Sequence, residues 1–262
     1  MKTISVMNVK GGVGKTVTAV NLAEILAGEH GLRVLLIDAD AQGDATWMLG
    51  ETEAQDGACG TYGLLMMGGP WTDHVLPTKY RRLDLISGGS DLFYLADLET
   101  APRTTKTFRD LMETLREEDA YDAVLIDCPP AFSATSVAAL ASSDLVLIPV
   151  KLDALSIRGC EFLVDQVQAM LEHVPDLRWR ILATMYRGTD MCRQALELLD
   201  RKGLGVNLLE TRIRRTDKVD EASFFAQALD EYSRYSAAGR DYRDLAMELL
   251  PELTEGGGND GL

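Results

Sequence analysis

A doubly wound α/β fold, with a mostly parallel sheet and helices on both faces, is predicted by three features of the chain. Runs that are apolar throughout, such as Val34-Leu35-Leu36-Ile37 and Val124-Leu125-Ile126, read as short strands buried on both faces. Segments with apolar residues at helical spacing separate them, so the strands are joined by right-handed crossovers. Two of the strands run directly into aspartate, Asp38 and Asp127, and open α/β sheets bind ligands at the carboxyl ends of their strands.

The first strand, Ile4-Ser5-Val6-Met7, leads into Val9-Lys10-Gly11-Gly12-Val13-Gly14-Lys15-Thr16 and then a helix from Val17 to Glu29. Strand, glycine loop and helix start together turn backbone N–H groups toward phosphate. Gly11, Gly12 and Gly14 allow the close approach that bulky side chains would prevent. Lys15 would place a positive charge near the β- and γ-phosphates, and the Thr16 hydroxyl would be a ligand for Mg²⁺. The general pattern G-x-x-x-x-G-K-[ST] is met except at its first position, where Val9 stands with a second lysine, Lys10, beside it. A glycine-rich turn that binds nothing is the plain alternative, and the strand–helix context with lysine and threonine in place weighs against it.

Val17, Val20, Ile25 and Leu26 give the first helix its apolar face, and Gly31 ends it. The next strand, Val34 to Ile37, opens into Asp38-Ala39-Asp40-Ala41-Gln42-Gly43, whose polar side chains at alternate positions exceed what a turn needs. From Asp44 to about Gly89 the pattern is weak, with Trp47 and Trp71 expected against the core and Leu83-Asp84-Leu85-Ile86 as a strand. Helices are expected at 90–98 and 104–118. The strand from Asp122 to Asp127 follows, leading into Cys128-Pro129-Pro130. A hydrophobic strand ending in Asp is the usual partner of a phosphate loop, since its carboxylate can reach Mg²⁺ through water. Then come a short helix from Ser133 to Ser142, a strand from Leu145 to Ile148 stopped by Pro149, and a long helix marked by Ile157, Val164, Val167 and Leu171. Strand Ile181 to Met185, a helix at 190–202, and a last helix striped by Tyr242, Leu245, Ala246, Leu249 and Leu250 complete the order. With no repeat or linker, residues 1–252 are expected to form one domain and 253–262 a disordered acidic, glycine-rich tail.

Composition narrows the partners. No apolar run reaches the roughly 18 residues of a membrane span, and the chain enters a strand too early for a signal peptide. Cys59, Cys128, Cys160 and Cys192 are widely spaced, which reads as reduced thiols of a cytoplasmic protein rather than a disulfide frame or zinc site. A net charge of −15 argues against coating nucleic acid with the whole surface. Residues 178–218, however, hold ten Lys/Arg against five acids, so a polyanion contact is expected to be local.

Lys10 to Thr16, Asn21-Leu22-Ala23, Asp38-x-Asp40-x-Gln42-Gly43 and Asp127-x-Pro129-Pro130 resemble the ParA/MinD family of deviant Walker-A P-loop ATPases, and within it the ParA/Soj partition ATPases. The likeness continues through Thr211-Arg212-Ile213-Arg214-Arg215 and Glu221-Ala222 to the last helix. It implies ATP and Mg²⁺ as cofactors, held by the loop from Lys10 through Thr16 and Val17, with Met185 and Arg215 near the adenine and ribose. It also implies slow intrinsic turnover and an ATP-sandwiched homodimer in which Lys10 reaches the partner's phosphates, linking dimerisation to nucleotide. Lys10, Lys15 and Asp40 would act in hydrolysis, Asp40 mainly by orienting the attacking water, because a carboxylate is a poor base at its ordinary pKa. Thr16, Asp38 and Asp127 would attend the metal.

Two departures stand out. Ala41 and Asp44 replace the proline and asparagine of the family's D-x-D-P-Q-x-N, and Ile213-Arg214-Arg215 replaces I-P-R. The resemblance further implies that the ATP dimer binds non-specific DNA and is released when a ParB-like partner stimulates hydrolysis, giving a cytoplasmic protein that joins the nucleoid when ATP-bound. Arg187, Arg193, Arg212, Arg214 and Lys218 are the candidate contacts, and phosphate contact of this kind weakens steeply with salt. A MinD-like membrane role would need a basic amphipathic last helix, whereas Glu248, Glu252, Glu255 and Asp260 surround its apolar positions, so no stable membrane anchor is expected. An iron–sulfur role lacks a cysteine partner for Cys128. Relatives that position carboxysomes, chemoreceptor clusters or flagella share the same motifs.

Overall fold

The computed structural model describes residues 1–50 and 59–254. Eight strands form one sheet: β1 Lys2–Val6, β2 Val34–Asp38, β3 Val75–Pro77, β4 Leu83–Ile86, β5 Ala123–Asp127, β6 Leu145–Lys151, β7 Arg178–Tyr186 and β8 Leu208–Arg214. Their order is β3-β4-β2-β5-β1-β6-β7-β8, and every pairing is parallel except β3 with β4. The helices are α1 Lys15–Gly28, α2 Asp44–Met48, α3 Gly60–Met67, α4 Ala101–Glu117, α5 Ala134–Ala141, α6 Ala154–Met170, α7 Asp190–Arg201, α8 Asp217–Phe224, α9 Leu229–Ser233 and α10 Ala237–Thr254. The doubly wound expectation therefore holds.

The central strands are buried along their whole length because helices cover both faces. Successive residues feed opposite cores: Leu35, Ile37, Val124 and Ile126 pack with Phe108 and Leu115 of α4, while Leu36 and Leu125 pack with Leu22 and Leu26 of α1 and Leu245 of α10. Phe108 is fully enclosed, and its truncation to alanine would cost about 3–5 kcal/mol.

Several elements differ from expectation, each for a local reason. The first helix starts at Lys15, two residues early, because Gly14 adopts φ 88° and turns the chain directly into it. Residues Ser90–Leu95 and Leu98–Thr100 form tight 3₁₀ turns instead of one helix, and α4 begins at Ala101 with Pro102 in its first turn. β6 runs through Pro149, since β1 pairs only as far as Leu147 and asks no amide donor of Pro149. Trp71 packs edge-on against Tyr121, but Trp47 is half-exposed, its indole N–H donating to the Ser223 carbonyl at 3.3 Å. The last helix continues to Thr254 with Leu253 buried, two residues past the expected domain end. The rest of the expected tail, 255–262, lies outside the described residues.

Acids of α10 close the β8 edge. Glu248 accepts the Glu210 and Thr211 amides at 2.8 and 3.0 Å, and Asp241 accepts the Arg214 amide at 2.8 Å. A helix thus covers an edge that would otherwise offer unpaired backbone donors.

Candidate nucleotide site

The carboxyl ends of β1, β2, β5 and β7 gather the site. Asn8 shapes the loop after β1: its Nδ2 donates to the Pro149 carbonyl at 2.8 Å, and its Oδ1 accepts the Lys10 amide at 2.9 Å. Val13 is buried, and its carbonyl accepts the Thr184 hydroxyl of β7 at 2.9 Å. Gly12 and Gly14 have φ of +69° and +88°, a region that side chains resist. Cβ atoms added at Gly11, Gly12 or Gly14 would meet nothing within 4 Å, so the cradle is open.

Lys15 is buried beneath this loop, and its Nζ donates to the Lys10 carbonyl at 3.2 Å. Burial lowers its pKa, opposed by the carboxylates of Asp127 and Asp40. Thr16 and Val17 are half-buried beside it. Lys10 behaves differently. It is exposed, and its aliphatic stem lies over α6, where a Cβ on Gly159 would fall 2.6 Å from Lys10 Cγ. The two lysines of one motif therefore face different surroundings.

Asp38 and Asp127 end β2 and β5 as register partners, and both are fully buried. Asp38 Oδ2 accepts the Thr46 hydroxyl at 2.7 Å and the Thr46 amide at 2.9 Å, and Oδ1 accepts the Asp40 amide at 3.1 Å. Burial nevertheless pushes Asp38 up to about 6. Among the described residues, neither oxygen of Asp127 has a hydrogen-bond partner. Its pKa is driven well above the usual range by burial and then by Asp38, with Thr16 and Lys15 pulling the other way. Asp40 is nearly buried, and its Oδ1 accepts the Gln42 amide at 3.0 Å.

On the other side of the loop a cleft of about 190 Å³ is lined by Gly12, Val17, Met185, Arg215, Val219 and Tyr242 among others. Met185 holds φ +52°, a strained value for a side-chain-bearing residue at the end of β7. The Arg215 guanidinium is tied to Asp220 at 2.7 Å on the rim of this cleft.

The basic segment is not one free patch. Arg178 and Arg180 pair with Glu252, Lys202 with Glu161, Arg193 with Asp190 and Lys218 with Glu221. Arg214 forms a two-pronged pair with Asp241, a buried acid of α10, which explains how an arginine is accommodated where the family pattern has proline. Of the five candidate DNA contacts, only Arg187 and Arg212 lack a carboxylate partner among the described residues, Arg212 lying over the Tyr186 ring at 5.2 Å.

The sequence reading missed Thr46, Gly88, Gly159 and Asp241. Gly88 follows β4, and a Cβ there would sit 2.6 Å from the Asp38 carboxyl carbon, so only glycine fits. None of these lies in a recognisable spacing pattern. Their roles come from contacts between distant segments.

The parallel sheet, open glycine cradle, buried lysine and paired aspartates define a phosphate-loop nucleotide-binding protein. A family model described as an AAA domain matches residues 1–178. The chain is 36% identical to the chromosome-partitioning ATPase Soj of Thermus thermophilus, covering 97% of this chain and 98% of that one. It is 32% identical to the chromosome partitioning protein ParA of Caulobacter vibrioides, covering 95% and 94%. Among solved structures, cobyrinic acid a,c-diamide synthase from Mycobacterium smegmatis with bound ATP analog and magnesium superposes with a TM-score of 0.80 at 26% identity, covering 98% and 96%. The chain belongs to the ParA/MinD family of ATPases.

Proposed function

We propose that the protein is an ATP-dependent dimerising switch of the DNA-partition type. In this reading it binds ATP with Mg²⁺, pairs with a second copy through the nucleotide, and holds non-specific DNA as the dimer. A ParB-like activating protein then stimulates hydrolysis and release. The observation that carries this reading is the divergence of the two lysines: Lys15 is buried under its own loop while Lys10 is exposed over Gly159. In this reading a lysine of that second kind would neutralise charge on another subunit's nucleotide, which would link assembly to ATP.

The residues present fit the cofactors. Open glycine positions leave room for phosphates, and the unpartnered Asp127 carboxylate, beside Thr16, is a donor set suited to a hard cation. Thr16 and Asp127 would hold the metal with Asp38 supporting it, and the metal when bound supplies charge neutralisation across the phosphates. Lys15 would contact the phosphates from within the subunit. Asp40, with one oxygen fixed by the Gln42 amide, would orient the attacking water. Met185 and Arg215 would flank the base in the cleft beside the loop. DNA contact would rest on Arg187 and Arg212 first, with Arg193, Arg214 and Lys218 contributing only as their acids release them.

A DNA mobility shift and a liposome pelleting assay, each run with ADP and with ATP, test the reading. DNA retention with ATP alone supports it. Lipid binding with ATP and none to DNA refutes the DNA arm in favour of a membrane-surface role.

A further inference from the structure

Thr46 lies on α2, outside every motif named above, yet it gives Asp38 two hydrogen bonds. It is buried, and its hydroxyl performs two tasks at once. It donates to Asp38 Oδ2 at 2.7 Å and accepts the Gly88 amide at 2.9 Å. Its own amide adds a second donor to the same oxygen at 2.9 Å. A carboxylate offers about four lone-pair positions, and on Asp38 both of those on Oδ2 are taken by Thr46. The Asp40 amide takes a third on Oδ1. Neither oxygen of Asp127, its register partner, has a hydrogen-bond partner among the described residues.

Two further contacts hold the arrangement. Thr61 of α3 donates its hydroxyl to the Asp38 carbonyl at 2.7 Å, and Gly88 packs against the carboxyl group itself. Asp38 therefore has little freedom to turn, and the group that closes its outer oxygen is the Thr46 side chain.

We propose that Thr46 is a positioning residue of the nucleotide site: by occupying Asp38 Oδ2 it holds Asp38 in a supporting role and leaves Asp127 as the open oxygen donor toward magnesium. The hydroxyl is needed for its paired donor and acceptor functions, so serine can replace it and valine cannot. Valine conserves the branched shape and the backbone amide to Asp38 Oδ2, but it strands the buried Gly88 amide and removes one of the two donors on that oxygen. The lone pair given up by the hydroxyl is then open on Asp38 Oδ2, so two adjacent carboxylates compete for one cation. The inference rests on the proposed ATP and Mg²⁺ binding at this site.

The test compares the full chain with Thr46→Val and Thr46→Ser, using a fluorescent ATP analogue titrated in EDTA and again across a Mg²⁺ series. The unmodified protein must first bind the analogue; its failure would refute the nucleotide reading itself. With that binding in hand, Thr46→Val should bind the analogue in EDTA as the unmodified protein does but need about 10-fold more Mg²⁺ for the metal-dependent gain. Thr46→Ser should restore the original Mg²⁺ requirement. Equal Mg²⁺ requirements for the valine variant and the unmodified protein would overturn the proposal. So would loss of binding in EDTA, or of the folded state in Thr46→Val when Thr46→Ser is equally impaired, because each marks Thr46 as packing alone.

Discussion

Asp38 and Asp127 stand side by side at the ends of adjacent parallel strands, yet the fold treats them in opposite ways. Asp38 holds hydrogen bonds from Thr46 and Asp40, whereas the Asp127 carboxylate has no hydrogen-bond partner among the described residues. A pair of buried carboxylates without a cation repels itself, and burial raises the pKa of both. Lys15 supplies part of the missing positive charge. The site is built for a ligand that carries both a cation and an anion.

Removing Lys15 should therefore disable nucleotide binding. Lys15→Ala is expected to weaken ATP affinity by about 1.5–3 kcal/mol, tenfold to a hundredfold, from the lost charged contact alone. Isothermal titration checks this, and an unchanged affinity would remove the loop from the site.

Asp40→Ala should uncouple binding from turnover. ATP affinity is expected to persist while phosphate release falls by at least about a hundredfold, leaving a trapped ATP-bound form. Undiminished hydrolysis would take Asp40 out of the mechanism.

Arg214 and Arg187 should separate stability from DNA contact. Arg214→Glu sets a carboxylate against the buried Asp241 and is expected to cost about 3 kcal/mol, seen as a lower melting temperature. The pair Arg187→Glu and Arg212→Glu breaks no ion pair among the described residues and should eliminate DNA retention while ATPase activity persists. Retained DNA binding in that double variant would move the contact elsewhere.

Glu24 of α1 should set a pH trend in stability. Burial pushes it up to about 7, with Asp230 and Glu29 adding repulsion, and its Oε2 is buried without a hydrogen-bond partner among the described residues. The folded state thus holds a proton that the unfolded chain releases near pH 4.5, so stability declines as pH rises from about 4.5 through 7. Glu24→Gln should be more stable than the unmodified protein at pH 8, on the order of 1–2 kcal/mol after solvent screening, and should show no such advantage near pH 4. Equal denaturation midpoints at pH 8 would contradict this.

The interior of the sheet was legible because a strand buried on both faces leaves an unbroken apolar run, as at Val34 to Ile37. The edges were not. β3 is three residues with a terminal proline, and β8 carries Glu210, Arg212 and Arg214 outward, so neither reads as a strand. The glycine loop and both strand-end aspartates were readable from spacing. Thr46 and Gly88 were not, since their importance lies in contacts with Asp38 made only after folding. The basic segment misled for a related reason: several of its cations are answered by acids outside it, Glu161, Asp241 and Glu252.

The most direct test of an ATP-gated dimer is the molar mass in solution, measured by light scattering with ADP and with a slowly hydrolysed ATP analogue, for the unmodified chain and Lys10→Ala. The expected result is 28.7 kDa with ADP, twice that with the analogue, and a return toward 28.7 kDa for Lys10→Ala. One mass in both nucleotides, or a Lys10→Ala dimer as tight as the original, would contradict the switch.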